Sequence, residues 1–129
     1  MSRPLSFDHL QALLRQYTAG LPDVRKPSPN TRYTIQNAAL GAFGIFFMQS
    51  PSFLEYQRLL NQCQGHDNAQ TLFGVEPIPC DNQIRTLLDP IAPRYFAPVF
   101  FEVFAHLEQQ RWLEPFRGLD HQLLVSLDG

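Results

Sequence analysis

At 129 residues, 44% of them hydrophobic, the chain has the length and apolar content of one folded domain rather than a disordered tail. Its formal net charge of −2 leaves no overall cationic field for nucleic acid, so any such role must rest on local charge. Two cysteines, Cys63 and Cys80, make no disulfide framework in a chain this long, and no apolar leader follows Met1-Ser2-Arg3-Pro4. A cytoplasmic protein with reduced thiols is expected.

In chain order, Ser6 caps a predicted helix from Phe7 to about Tyr17, with Phe7, Leu10, Leu13, Leu14 and Tyr17 on one apolar face. Gly20 and Pro22 end it. The stretch "VRKPSPNTR" has two prolines, no apolar period and the cations Arg25, Lys26 and Arg32, and reads as a linker or arm. Charge is uneven. Residues 1–35 carry five basic and two acidic residues, a net of +3, and the remainder carries five basic and ten acidic, a net of −5. Either the N-terminal segment faces something anionic or it is a solvated basic arm.

Thr34 caps the next predicted helix, Ile35 to about Met48, which is apolar on nearly every side and belongs inside a core. Its longest apolar run, Ala38 to Met48, spans roughly 16 Å as a helix, too short for a bilayer core of about 30 Å, so no membrane partner is expected. Gly41 and Gly44 lower helix propensity and allow another helix to approach closely. Ser52-x-x-Glu55 opens a third helix that runs on to a stop at Gly65, and Asp67-x-x-Gln70 a short fourth one ending at Gly74. Pro77 and Pro79 impose an extended segment, after which Asp81 is expected to cap Asn82 to Leu88 with Ile84, Leu87 and Leu88 inward. A last helix from about Arg94 or Ala97 to Arg111 carries Phe96, Phe100, Phe101 and Phe104 on a face expected to be core. "WLEPFRGLD" reads as a loop and Gln122–Asp128 as one β-strand, expected to fray or lie as an irregular tail for want of a partner. The expected fold class is therefore mainly α, a bundle of about six short helices with one C-terminal β-strand. Cys63, His66 and Cys80 find no fourth ligand at zinc-finger spacing among His9, His106 and His121, so free thiols and surface histidines are expected there instead.

Three segments in this order, "IQNAALGAFGIFFMQSPSFLEYQ", "TLFGVEPIPCDNQIRTLLDPI" and "LLVSLDG", resemble the N-terminal region of bacterial DDE-type insertion-sequence transposases. The resemblance covers residues 33–129. It implies an N-terminal helix and basic arm at 1–32, a helical transposase domain at 33–117, and at 118–129 the start of a ribonuclease-H-like catalytic domain that is otherwise missing. In that fold the first strand carries the first of three catalytic acids, and the motif maps it onto Asp128. The family's chemistry is cutting and rejoining DNA with two divalent ions, Mg²⁺ in the complete enzyme. Asp128 is thus the implied catalytic and metal residue, but one Asp holds Mg²⁺ weakly, so the chain alone is expected to be inactive. The implied partner is double-stranded DNA at insertion-sequence ends, with self-association or binding to full-length transposase as the other role. Arg25, Lys26 and Arg32 are the candidate phosphate contacts. Arg85 matches the arginine after the family's Asp-Asn-Gln-Ile, and either touches DNA or pairs with Asp81 or Asp89. The rival reading is a non-catalytic helical interaction or dimerisation module, favoured by 11 phenylalanines in a small chain.

Overall fold

A computed structural model describes residues 5–62, 73–74 and 79–128. The protein is mainly helical. Among the described residues there are five α-helices: α1 (Phe7–Ala19), α2 (Ile35–Phe47), α3 (Phe53–Gln62), α4 (Asp81–Leu88) and α5 (Ala97–Gln109). Single 3₁₀ turns lie at Pro93–Tyr95, Glu114–Phe116 and Leu119–His121. The expected Cys63 and His66 positions and most of the short helix before Gly74 lie outside the described residues.

Local chemistry sets the helix starts. Ser6 Oγ accepts the His9 N–H at 3.2 Å, and Ser52 Oγ accepts the Glu55 N–H at 3.2 Å. At α2 the cap is reciprocal: Thr34 Oγ1 accepts from Asn37 N at 3.0 Å, while Asn37 Oδ1 accepts from Thr34 N at 3.0 Å. The start of α4 differs from expectation by one residue. Cys80 holds the cap position, its N–H donating to Gln83 Oε1 at 3.4 Å, and Asp81 is the first helical residue. There its carboxylate suits the positive end of the helix dipole, so the acid acts inside the first turn rather than ahead of it.

Helix α2 is the central element and packs on both α1 and α4, while α5 packs on α1. Ile35, Ala38, Ala39, Leu40, Gly41, Gly44 and Ile45 of α2 are buried. One core cluster joins Leu21, Ile35, Ala39 and Ile91, with Leu87, Leu88 and Phe96 packed on it. A second joins Leu40 and Phe73 with Leu14. Helix α3 meets α2 at Gly44, where an added Cβ would run into the hydroxyl of the buried Tyr56. The close approach expected at this glycine is therefore real. Gly74 adopts φ +64°, the left-handed geometry of a helix stop, and Arg15 Nη1 donates to the preceding Phe73 carbonyl at 3.2 Å.

Two expectations about apolar helix faces are corrected. The aromatic face of α5 is not core: no residue of α5 is buried, and Phe100 and Phe101 are each 71% exposed. Periodicity creates an apolar face, but only a neighbour covers it, and α5 contacts α1 on one side, through Tyr17–Glu102 and the His9–His106 ring pair. Helix α2 also leaves Phe43, Phe46 and Phe47 exposed, so it is covered on one side rather than all round. Gln122–Asp128 forms no strand. The segment makes one isolated antiparallel bridge, Arg117 with Leu123, because no second strand stands beside it among the described residues. Arg117 organises the turn that leads there: its Nη2 reaches both Glu108 carboxylate oxygens at 2.6 Å and its Nη1 donates to the His121 carbonyl at 2.8 Å.

Candidate nucleic-acid interface

The Pro-rich arm is folded on itself rather than loose. The Arg25 guanidinium makes two hydrogen bonds to Asp23, Nε to Oδ1 and Nη2 to Oδ2, and its Nη2 also donates to the Tyr33 carbonyl at 3.0 Å. Between these points Ser28 closes a turn, its carbonyl accepting from Thr31 N at 3.2 Å and its Oγ from Asn30 N at 3.2 Å. Pro27 and Pro29 restrict φ on either side and reduce the entropy lost on ordering the arm.

The core fixes where this arm lies. Leu21 before it and Ile35 after it enter the same apolar cluster that receives Leu87 and Leu88 of α4. Arm and α4 are thereby side by side, and between them runs an open groove of about 460 Å³. Arg25, Lys26, Ser28, Asn30, Thr31, Arg32 and Tyr33 line one wall; Asn82, Gln83, Thr86 and Leu87 line the other. No carboxylate lines it among the described residues. Hydroxyls, amides and cations without acids suit a phosphate-bearing ligand, since each can donate to phosphate oxygen.

The three arm cations are not equivalent. Arg25 is occupied. Its hydrogen bonds hold the Asp23 carboxyl well below the usual carboxylate range, down to about 2, and the same contacts push the Arg25 guanidinium up. Arg32 stacks its guanidinium over the Tyr33 ring, 5.2 Å from the centroid, which leaves its N–H edges for a ligand. Lys26 is exposed on the groove wall and has no ion pair among the described residues. Lys26 and Arg32 are therefore the arm cations outside any ion pair among the described residues.

Of the other sequence-predicted residues, Arg85 is exposed in the last turn of α4 but is not among the groove's lining residues. Asp128 is exposed near the end of the tail, outside any helix or strand. Among the described residues no group of three or more His, Cys, Asp or Glu gathers to hold a metal. Mg²⁺ needs oxygen ligands on rigid elements, so an exposed tail carboxylate outside any carboxylate set does not fit it, and no step is derived through a metal here.

The polar wall of α4 was not identified from sequence. Its signal was present: Asn82, Gln83 and Thr86 occupy the positions left over when Ile84, Leu87 and Leu88 turn inward. What sequence lacked was the neighbouring wall. No helix among the described residues is long and apolar enough to cross a membrane. No protein-family model, curated protein or solved structure matches the chain.

Proposed function

We propose that this chain is a helical DNA-binding domain of the transposase type, and that duplex DNA lays one phosphate strand in the groove between the arm and α4. The observation that carries the reading is the meeting of Lys26 and Arg32 with the Asn82–Thr86 face across an acid-free groove. Asn82 and Gln83 of that face belong to Asp-Asn-Gln-Ile-Arg, part of one of the three segments whose order carries the transposase resemblance. Local clustering also answers the objection from net charge: the groove gathers cations from a segment of net +3 in a chain of net −2. In this reading Asp128 stands where the family has its first catalytic acid, and residues 118–129 begin the ribonuclease-H-like region. The domain itself binds DNA and does not cut it, in the cytoplasm, where Cys80 stays a free thiol. Duplex binding that weakens steeply with salt, and weakens further in Lys26→Ala/Arg32→Ala, tests this. Absence of binding in low-salt buffer would remove it.

A second reading has its own observation. The uncovered face of α5 exposes Phe100 and Phe101, and Trp112, Phe116 and Leu119 further along the chain are exposed as well. Large apolar side chains exposed in this number suit contact with another protein, including self-association or full-length transposase. Sedimentation across a range of concentrations tests it, and a strictly monomeric species with no apolar dye binding would count against it.

A further inference from the structure

We propose that α4 reads base sequence in the major groove, with Asn82 hydrogen-bonding an adenine edge and the Thr86 methyl group packing on a thymine methyl. This rests on the DNA-binding reading above and adds a recognition site to it.

The assignment follows from which polar groups of α4 are already engaged. Gln83 is exposed, but its Oε1 accepts the Cys80 N–H at 3.4 Å and is committed to the helix start. Bidentate contact with adenine N6 and N7 needs an amide's oxygen and nitrogen together, so Gln83 is the wrong amide. Asn82 is exposed on the groove wall, and among the described residues no hydrogen bond holds its side chain. Thr86 is exposed on the same wall one turn on, but its Oγ1 donates back to the Asn82 carbonyl at 2.8 Å. With the hydroxyl turned inward, the methyl is the group it offers, and a methyl suits the thymine C5-methyl.

Spacing agrees with this pairing. Residues i and i+4 are separated by about 6 Å along a helix. Base pairs repeat every 3.4 Å or so, which places the two contacts about two base pairs apart. Asp81 and Asp89 lie at the two ends of the helix and are not among the groove's lining residues, whereas Asn82 and Thr86, one turn apart, both are. Lys26 and Arg32 on the opposite wall then hold the phosphate strand and fix register without reading sequence.

The test is selection of duplexes bound by the full chain from a randomised pool, followed by affinity measurements on the selected site and on single-base variants of it. The expected site contains an adenine whose replacement weakens binding about tenfold or more, and a thymine about two base pairs away. In Asn82→Ala the preference at the adenine collapses toward unity while the salt slope is unchanged. In Thr86→Ser the thymine preference falls and the adenine preference stays. Lys26→Ala/Arg32→Ala weakens binding to all sequences alike. A preference that survives Asn82→Ala, or binding with no preference at all, overturns this inference and leaves the DNA-binding reading intact. Failure to bind any duplex, or preference for single strands or RNA, overturns both. Circular-dichroism melting of each variant confirms that loss of preference is not loss of fold.

Discussion

Arg25 grips Asp23 through two parallel hydrogen bonds, Nε–Oδ1 at 2.9 Å and Nη2–Oδ2 at 2.6 Å, with one residue between them in the chain. The pair closes the base of the basic arm and keeps one of its three cations engaged within the protein. Releasing that cation is expected to strengthen DNA binding. Asp23→Asn should steepen the slope of log affinity on log salt by about 0.9, the value for one added phosphate contact. Fluorescence anisotropy with a short duplex measures it; an unchanged slope would mean Arg25 already touches phosphate or never reaches it.

The same pair predicts a pH dependence. The folded Asp23 carboxyl titrates at about 2 against an ordinary 3.8. Its folded value is the lower one, so the stabilisation is fully present above 3.8 and is lost as pH falls toward 2. A carboxyl carbon titration by NMR should give a midpoint near 2, moving up to the ordinary range in Arg25→Ala. An ordinary midpoint in the unmodified protein would contradict the ion pair.

At the α2–α3 crossing, Gly44 admits the Tyr56 ring where no side chain fits. Gly44→Ala improves helix propensity by about 1 kcal/mol yet forces an overlap that typically costs 1–3 kcal/mol, so a net loss of up to about 2 kcal/mol is expected. Pairing it with Tyr56→Phe removes the colliding hydroxyl and should recover part of the loss in a double-mutant cycle by urea unfolding. Additive losses would show that the two residues do not meet.

Phe100 and Phe101 predict the opposite behaviour from core phenylalanines. Being 71% exposed, each should tolerate replacement by glutamine within about 0.5 kcal/mol of the parent stability, whereas a core Phe→Ala costs 3–5 kcal/mol. Binding of an apolar dye should fall in the same variant. A large drop in melting temperature would mean that the face is covered in solution.

Arg117 holds the C-terminal turn by its contacts to Glu108 and to the His121 carbonyl. Arg117→Lys keeps the charge but loses the fork that reaches both, and should cost about 1 kcal/mol. Hydrogen exchange should speed up at Gly118 and Leu124, whose N–H groups bond the Gln122 and Phe116 carbonyls in that turn. Unchanged exchange would place the turn's stability elsewhere.

Much of the helical frame was legible in the sequence because it is local. Ser6, Thr34 and Ser52 sit where a side-chain oxygen meets an orphan N–H three residues on, and that geometry needs no partner from elsewhere in the chain. Cys80 escaped notice as a cap because its neighbour Asp81 has the better capping chemistry. Long-range facts were not legible. Which of two apolar faces, α2's or α5's, is covered depends on packing partners, so α2 became core and α5 did not. The arm's cations were visible, but not that Asp23 takes Arg25, nor that Leu21 and Leu87 bring the arm against α4. A β-strand pattern at Gln122–Asp128 needs a neighbour to become a strand, and among the described residues Leu123 finds only Arg117.

The central claim is that Lys26 and Arg32 contact DNA phosphates in the groove beside α4. The most direct test is the salt dependence of duplex affinity for the parent and for Lys26→Ala/Arg32→Ala. Two lost phosphate contacts predict a slope shallower by about 1.8 and weaker binding at every salt concentration. Equal slopes for the two proteins, with equal affinities, would contradict it.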